Sequence, residues 1–282
     1  MIAKIKMTDM KKKLQKTGYI LATGMICLLL QACPKKPEPP KGSPQYTMQF
    51  NLVASGNPIT IDNTVATGPT HYYIDIMRFY CGLPTLVKTD GTLVPLANLE
   101  VVKFDEKIPD NIVCNKTFTF NVPAGDYKGI RFGIGIPPAI RDTVKTWHLS
   151  NPVDPLNDFG LIWSMGSIQQ KNIFRDIAMD FFVDTSKAQT ASPTRFVEWH
   201  VIEDDTTLNL YSTLEFQESF SVGNGDNHVT NINIDANTLF FNSASPFDLK
   251  TVGTTSMTHG NPNEIQLGIA VNKNFYAAVS KP

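Results

Sequence analysis

The chain has 282 residues, with 25 Lys and Arg against 26 Asp and Glu, and four cysteines. No clustered basic face stands out, which argues against phosphate neutralisation and so against nucleic-acid binding. Charge is unevenly spread: residues 1–32 hold six Lys and one Asp, so the remainder carries 19 basic and 25 acidic residues, a formal charge of −6.

In chain order, the first element is a leader. Lys11, Lys12, Lys13 and Lys16 precede an apolar segment from Tyr19 to Leu30, too short to span a bilayer comfortably and too unbroken for a surface helix. This is the layout of a secretory signal. It ends in Leu30-Gln31-Ala32-Cys33, which resembles the bacterial lipobox, so Cys33 is expected to become the lipid-bearing first residue once residues 1–32 are cut away. An ordinary signal beside an unrelated cysteine is the alternative. Residues 33–45 then read as a tether, because five prolines between Pro34 and Pro44 fix φ and remove donors, leaving an extended spacer off the membrane.

From residue 46 to 282 the pattern is strand and turn. "YTMQFNLVASG" sets Met48, Phe50 and Leu52 against polar neighbours, the alternation of a half-buried strand. "HYYIDIMRFYCGLPTLVKTDGTLVPL" reads as a strand, a turn at Thr89-Asp90-Gly91 and a short strand, with Asp-Gly supplying the positive φ a hairpin needs. "KTFTFNVPAGDYKGIRFGIGIP" is two strands about a Pro123-Ala124-Gly125 turn, and "NLYSTLEFQESFSV" and "HVTNINIDANTLF" add further strands. Only "SIQQKNIFRDIAMDFF" has a mixed pattern open to a helix. Short strands with turns rich in Gly, Pro and Asp predict an all-β chain, a single antiparallel β-sandwich with long loops.

Cys27 leaves with the leader and Cys33 is lipidated, so Cys81 and Cys114 remain in an oxidising compartment, where two exported thiols are expected to pair. Such a bridge would stabilise the fold by roughly 3 to 4 kcal/mol through loop closure. A thiolate metal pair is the competing reading, against which neither cysteine lies in a CxxC.

Catalytic signatures are absent: no GxSxG, HExxH or P-loop, and "GIGIPP" ends in two prolines instead of opening a helix. With no nucleophile and base in view, the chain is not expected to be an enzyme. Borderline and soft metal ligands remain: His71, His148, His200, His228 and His259, with Met165, Met179 and Met257. Met257 and His259 in "SMTHG" are two apart and face one way in extended backbone, a pair suited to Cu(I); a polar loop with a solvent-facing His accounts for the same letters. In "RFVEWHVIEDD", Val197, Trp199 and Val201 fall on one side of a strand, leaving Glu198 and His200 on the other. His200 is then either available to a ligand or a surface histidine paired with Glu198. All three tryptophans, Trp147, Trp163 and Trp199, lie near a candidate ligand, and core packing accounts for any one of them.

Several of these segments, in order, resemble the MbnP-like copper-binding periplasmic proteins: "YIDIMRFYCGLPTLVKTDGTLVPL", "VPAGDYKGIRFGIGIP", "GLIWSMG", the "EWH" strand and "MTHGNPNEIQLGIAVNKNFYAAV". The resemblance runs over residues 46–279 and implies an exported β protein that binds copper, Cu(I) or Cu(II). It implies His200, His259 and Met257 as ligands, and the residue pattern itself offers Met165 and His148 as additions. It also places Trp163 at the first aromatic of the family's Trp-rich segment, some members of the family using a tryptophan oxidised to kynurenine by a di-haem peroxidase. Met165 stands where a second tryptophan is usual, and the glycine expected after "EWH" is missing. An outer-membrane lipoprotein, with that peroxidase or an outer-membrane transporter as partner, is what the family analogy implies. A non-enzymatic surface module for a glycan or protein, stabilised by Ca²⁺ through "NPVDPLND" and "VGNGDN", is the alternative.

Overall fold

The computed structural model describes residues 42–104, 114–143, 162–164, 172–189, 192–202, 210–256 and 262–282. Within residues 42–282, a single compact unit, two large sheets face each other.

The first sheet is centred on β1 (Gln45–Ala54). On one side it pairs with β13 (Asn227–Asp235), which continues to β15 (Val279–Ser280); on the other it pairs with β6 (Asn115–Asn121) and the two-residue β2 (Asn57–Pro58). The second sheet runs β12 (Thr213–Val222), β7 (Gly125–Ile134), β3 (Tyr72–Lys88), β10 (Ile177–Val183), β11 (Arg195–Val201) and β14 (Thr255–Ser256), with β4 (Leu93–Pro95) and β5 (Leu99–Phe104) also on β3. A two-stranded ribbon joins β8 (Ile162–Ser164) to β9 (Asn172–Phe174). The long β3 pairs β10 over Tyr72–Phe79 and β7 over Cys81–Lys88, and within the β7 pairing the register slips between Gly82 and Thr85, where Leu83 takes φ 48°. The Pro123–Gly125 turn carries the chain from one sheet to the other, since β6 pairs β1 while β7 pairs β3 and β12.

Alternation supplies the core. Tyr46, Met48, Phe50 and Leu52 of β1 are fully buried, and Phe50 meets Phe79 and Phe132 of the opposite sheet edge-on, with ring centroids 5.7 and 5.6 Å apart. Phe181, Trp199 and Phe240 form a second aromatic knot, with Phe181 4.7 Å from Trp199. Buried aromatics of this kind dominate the energetics of such an interior.

The layered β reading holds, with three differences. The β1–β13 and β11–β14 pairs are parallel. The stretch left open to a helix contains β9 and β10, because Met179, Phe181 and Val183 alternate into the core. The C-terminal segment, expected as strand and turn, is a helix over Pro262–Ala278. Proline at its start is preorganised there, and Val271, Phe275 and Ala278 are buried on one stripe, with Phe275 5.1 Å from Phe79.

The expected disulfide is not formed: Cys81 and Cys114 are free thiols. Cys81 is on β3, opposite Glu100 of β5, with its side chain in the core. Cys114 precedes β6 of the other sheet, where its Sγ accepts from Ile61 N at 3.2 Å. Burial pushes the Cys81 thiol well up, with Glu100 adding to it, and burial also raises Cys114, opposed by the Ile61 amide. Both groups therefore behave as small hydrophobes more than as thiolates.

Candidate metal centre

The period of two in β10 and β11 decides which side chains meet. Met179 and Phe181 point inward from β10, as do Val197, Trp199 and Val201 from β11. Asp180, Glu198 and His200 are therefore left on the outer face. The antiparallel register sets Asp180 directly opposite Glu198, and His200 opposite Ala178, so His200 lies diagonal to Asp180, within reach of a long side chain.

His200 is outward yet 4% exposed. Its Nε2 lies 2.8 Å from Glu198 Oε1 and 3.8 Å from Asp180 Oδ1. The second distance exceeds a hydrogen bond, and Asp180 Oδ1 is a buried oxygen with no hydrogen-bond partner among the described residues. One donor atom from each of Asp180, Glu198 and His200 falls within 4.8 Å of the others. Among the described residues this is the one such cluster of His, Cys, Asp or Glu.

Two cations border it. Arg175, two residues before β10, loses basicity chiefly through burial; Glu198 and Asp180 oppose that fall and Arg78 adds to it. Arg78 faces Ala178 on β3. The Arg175 guanidinium offsets the carboxylates and helps two acids to stand opposite each other. Above the cluster the same face carries an aromatic row, Tyr73, Phe182 and Phe196, with centroid separations of 4.7 and 5.2 Å.

Of the residues expected to bind metal, the structure sets His200 in this cluster. His148, Met165, Met257 and His259 lie outside the described residues, as does Cys33. Trp163 belongs to β8, with its backbone opposite Ile173. Met179 is buried in the core, and Trp199 donates its indole N–H to Gly253 O at 3.1 Å. His228 stacks on Phe220 at 3.9 Å with Nε2 3.3 Å from Glu218, separate from His200. The "VGNGDN" loop is a closed turn: the Asp226 carboxylate accepts from Gly223 N at 2.9 Å and from Ser221 Oγ at 2.5 Å, and its oxygens serve the fold. The "NPVDPLND" loop lies outside the described residues.

The pairing of His200 with Glu198 was one of two readings open in the sequence; the role of Asp180 was missed. A charged residue between Met179 and Phe181 was the available signal, hidden as long as that stretch could be helical.

The donor chemistry can be tested against copper. An imidazole with two carboxylates is the nitrogen and oxygen set that suits tetragonal Cu(II), not the thioether-rich set that suits Cu(I). The unsatisfied Asp180 oxygen can take an ion without losing a hydrogen bond, whereas Nε2 would exchange its contact with Glu198 for the metal. The cluster therefore fits divalent copper, with coordination positions left for further ligands.

Comparison with known proteins adds three findings. The MbnP family model matches residues 43–260. A solved structure, MbnP from Methylosinus trichosporium, is similar at 18% identity and a TM-score of 0.45, over 69% of this chain and 76% of that one. Among curated proteins none matches.

Proposed function

The chain belongs to the MbnP family, and from that premise we propose that it is a membrane-anchored copper-binding protein of the bacterial envelope, serving metal storage, delivery or uptake. The observation that carries the proposal is the buried His200 imidazole facing Asp180 and Glu198, with one carboxylate oxygen left unsatisfied.

In this reading the metal is cargo. His200 Nε2 gives up its contact with Glu198 and becomes the nitrogen ligand, while Asp180 and Glu198 contribute oxygen. Arg175 offsets the carboxylates when the ion is gone, so unloading does not leave two acids side by side without a cation. Because a protonated imidazole cannot ligate, affinity falls as pH drops. Met257 supplies a softer thioether and His259 a second imidazole to the same ion, and Met165 and His148 are the remaining additions. Trp163 is the position for oxidative modification by a di-haem peroxidase. Cys33 carries the lipid, residues 34–45 hold the domain off an outer membrane, and a transporter in that membrane is the second candidate partner. No catalytic role is assigned.

The test is an electron paramagnetic resonance titration of the chain with Cu(II), beside His200→Ala and Asp180→Asn. The expected result is one Cu(II) per chain with imidazole nitrogen coupling that loses the contribution of one nitrogen in His200→Ala, that of His259 and His148 remaining. Asp180→Asn should weaken binding by about tenfold or more, the cost of one lost charged ligand. An unchanged spectrum and stoichiometry in His200→Ala would remove this cluster from the metal site.

A further inference from the structure

A second site is built from other residues. A cleft of about 460 Å³ opens between the β1–β2 turn, the loop at residues 67–69, and the short helix Ala236–Phe241 with the residues after it. That volume lies within the roughly 300–1,000 Å³ range of small-molecule pockets.

Its wall is fixed in an unusual way. Ala54 pairs with Asn57, so the turn is the two residues Ser55 and Gly56, both left-handed at φ 50° and 78°. Glycine takes that conformation freely, whereas a serine pays for its Cβ. Two contacts hold the strained turn: Gly56 N donates to Asp235 Oδ2 at 3.0 Å, and Asn237 Nδ2 donates to Ser55 Oγ at 2.9 Å. Non-glycine residues held in this region cluster at ligand sites.

Asn237 sets the polarity of the cleft. Its Nδ2 also donates to Thr67 Oγ1 at 2.7 Å, and its Oδ1 accepts from Tyr72 OH at 2.9 Å, so the amide cannot turn over. The Ser55 and Thr67 hydroxyls are thereby used as acceptors, and each keeps an O–H with no acceptor among the described residues. Asp235 accepts Thr238 N and Gly56 N, one on each oxygen, and retains lone pairs. The apolar wall is Phe241 with Pro69. Gly68 is needed there, since a Cβ on it would stand 2.2 Å from the Phe241 ring.

Among the described residues no Lys, Arg or His lines the cleft and one carboxylate does, which disfavours anions. A ligand must accept from two hydroxyls, donate to a carboxylate, and lay a C–H face on an aromatic ring. We propose that the cleft is a binding site for a neutral saccharide, one or two sugar rings in size. This does not rest on the copper reading.

The experiment is saturation-transfer NMR on the full chain in detergent, using the methyl glycosides of glucose, galactose, mannose and N-acetylglucosamine. At least one should show transfer, strongest at its ring C–H protons. A Ser55→Ala, Thr67→Val variant removes both hydroxyl donors together with the two acceptors of the Asn237 amide, so it is judged only where its melting temperature is near that of the parent, and its affinity should then fall by about tenfold. Phe241→Leu, judged only if its melting temperature is near that of the parent, should also weaken transfer. His200→Ala should leave the sugar signal unchanged, which separates this site from the metal centre. Transfer from none of the four glycosides, or equal transfer to the double variant, overturns the proposal.

Discussion

Replacing Arg141 by Met tests how the strand carrying Asp180 is anchored. Arg141 lies in the helical turn at 138–143, and its Nη2 is 3.2 and 3.3 Å from the two Asp176 oxygens and 2.9 Å from Ile136 O. Both side chains are largely buried, at 17% and 4% exposed. Asp176 also accepts from Ile136 N at 2.7 Å, and its backbone bonds Tyr80 and Val201. The pair thus ties the "GIGIPP" loop to the start of β10. Breaking a buried pair by removing one partner costs roughly 3–5 kcal/mol. The Ile136 amide still contacts the carboxylate, so we expect the low end, about 3 kcal/mol. In a domain of this size that is a fall in melting temperature of roughly 6–12 °C. The assay is thermal unfolding of Arg141→Met, Asp176→Asn and the double variant. The double variant should be more stable than the sum of the single losses predicts, by about 1–3 kcal/mol. Additive losses, or a shift below about 2 °C for Arg141→Met, would refute the reasoning.

Three further outcomes are expected. Burial pushes the Glu100 carboxyl up, with Lys116 opposing it; its stabilising contribution is therefore present below the unfolded pKa of about 4.3 and lost as pH rises through the folded value. Glu100→Gln should accordingly melt higher than the parent at pH 7 and no higher near pH 3.5, and a lower melting point at pH 7 would contradict this. Native alkylation with iodoacetamide, read by peptide mass spectrometry, should label Cys114 slowly and Cys81 only in denaturant; recovery of a bridged 81–114 peptide without added oxidant would show that the thiols are not free. Gly129→Ala would bring a Cβ to 2.3 Å from Phe216 O in the neighbouring strand, so β7 and β12 must part at a cost of roughly 1–3 kcal/mol, measurable by urea unfolding.

Much of the layered fold was legible where one face is buried and the other wet. Met48, Phe50 and Leu52, the Asp90-Gly91 turn, and the inward set Val197, Trp199 and Val201 all follow from that asymmetry. The C-terminal helix was not legible, because its inner face is partly polar. Asn272 and Asn274 are buried and donate to Leu210 O, Leu239 O and Ser245 O, which breaks the apolar stripe that a helical period needs. The cysteines misled because compartment chemistry says only that thiols are free to pair, not that their sulphurs point at each other. At the metal centre, the facing of His200 was readable from one strand, but Asp180 belongs to the next, and register between strands is a tertiary fact.

Gln45 N donates to Asp226 O at 2.9 Å, and Thr47 bonds Asn227 across 180 residues of sequence. One edge of the central strand of the first sheet thus waits for a partner made near the end of synthesis. Loop closure on that scale makes folding slow. Until residues 227–235 are made, one edge of β1 has no strand to pair with, while its other edge can already take β6.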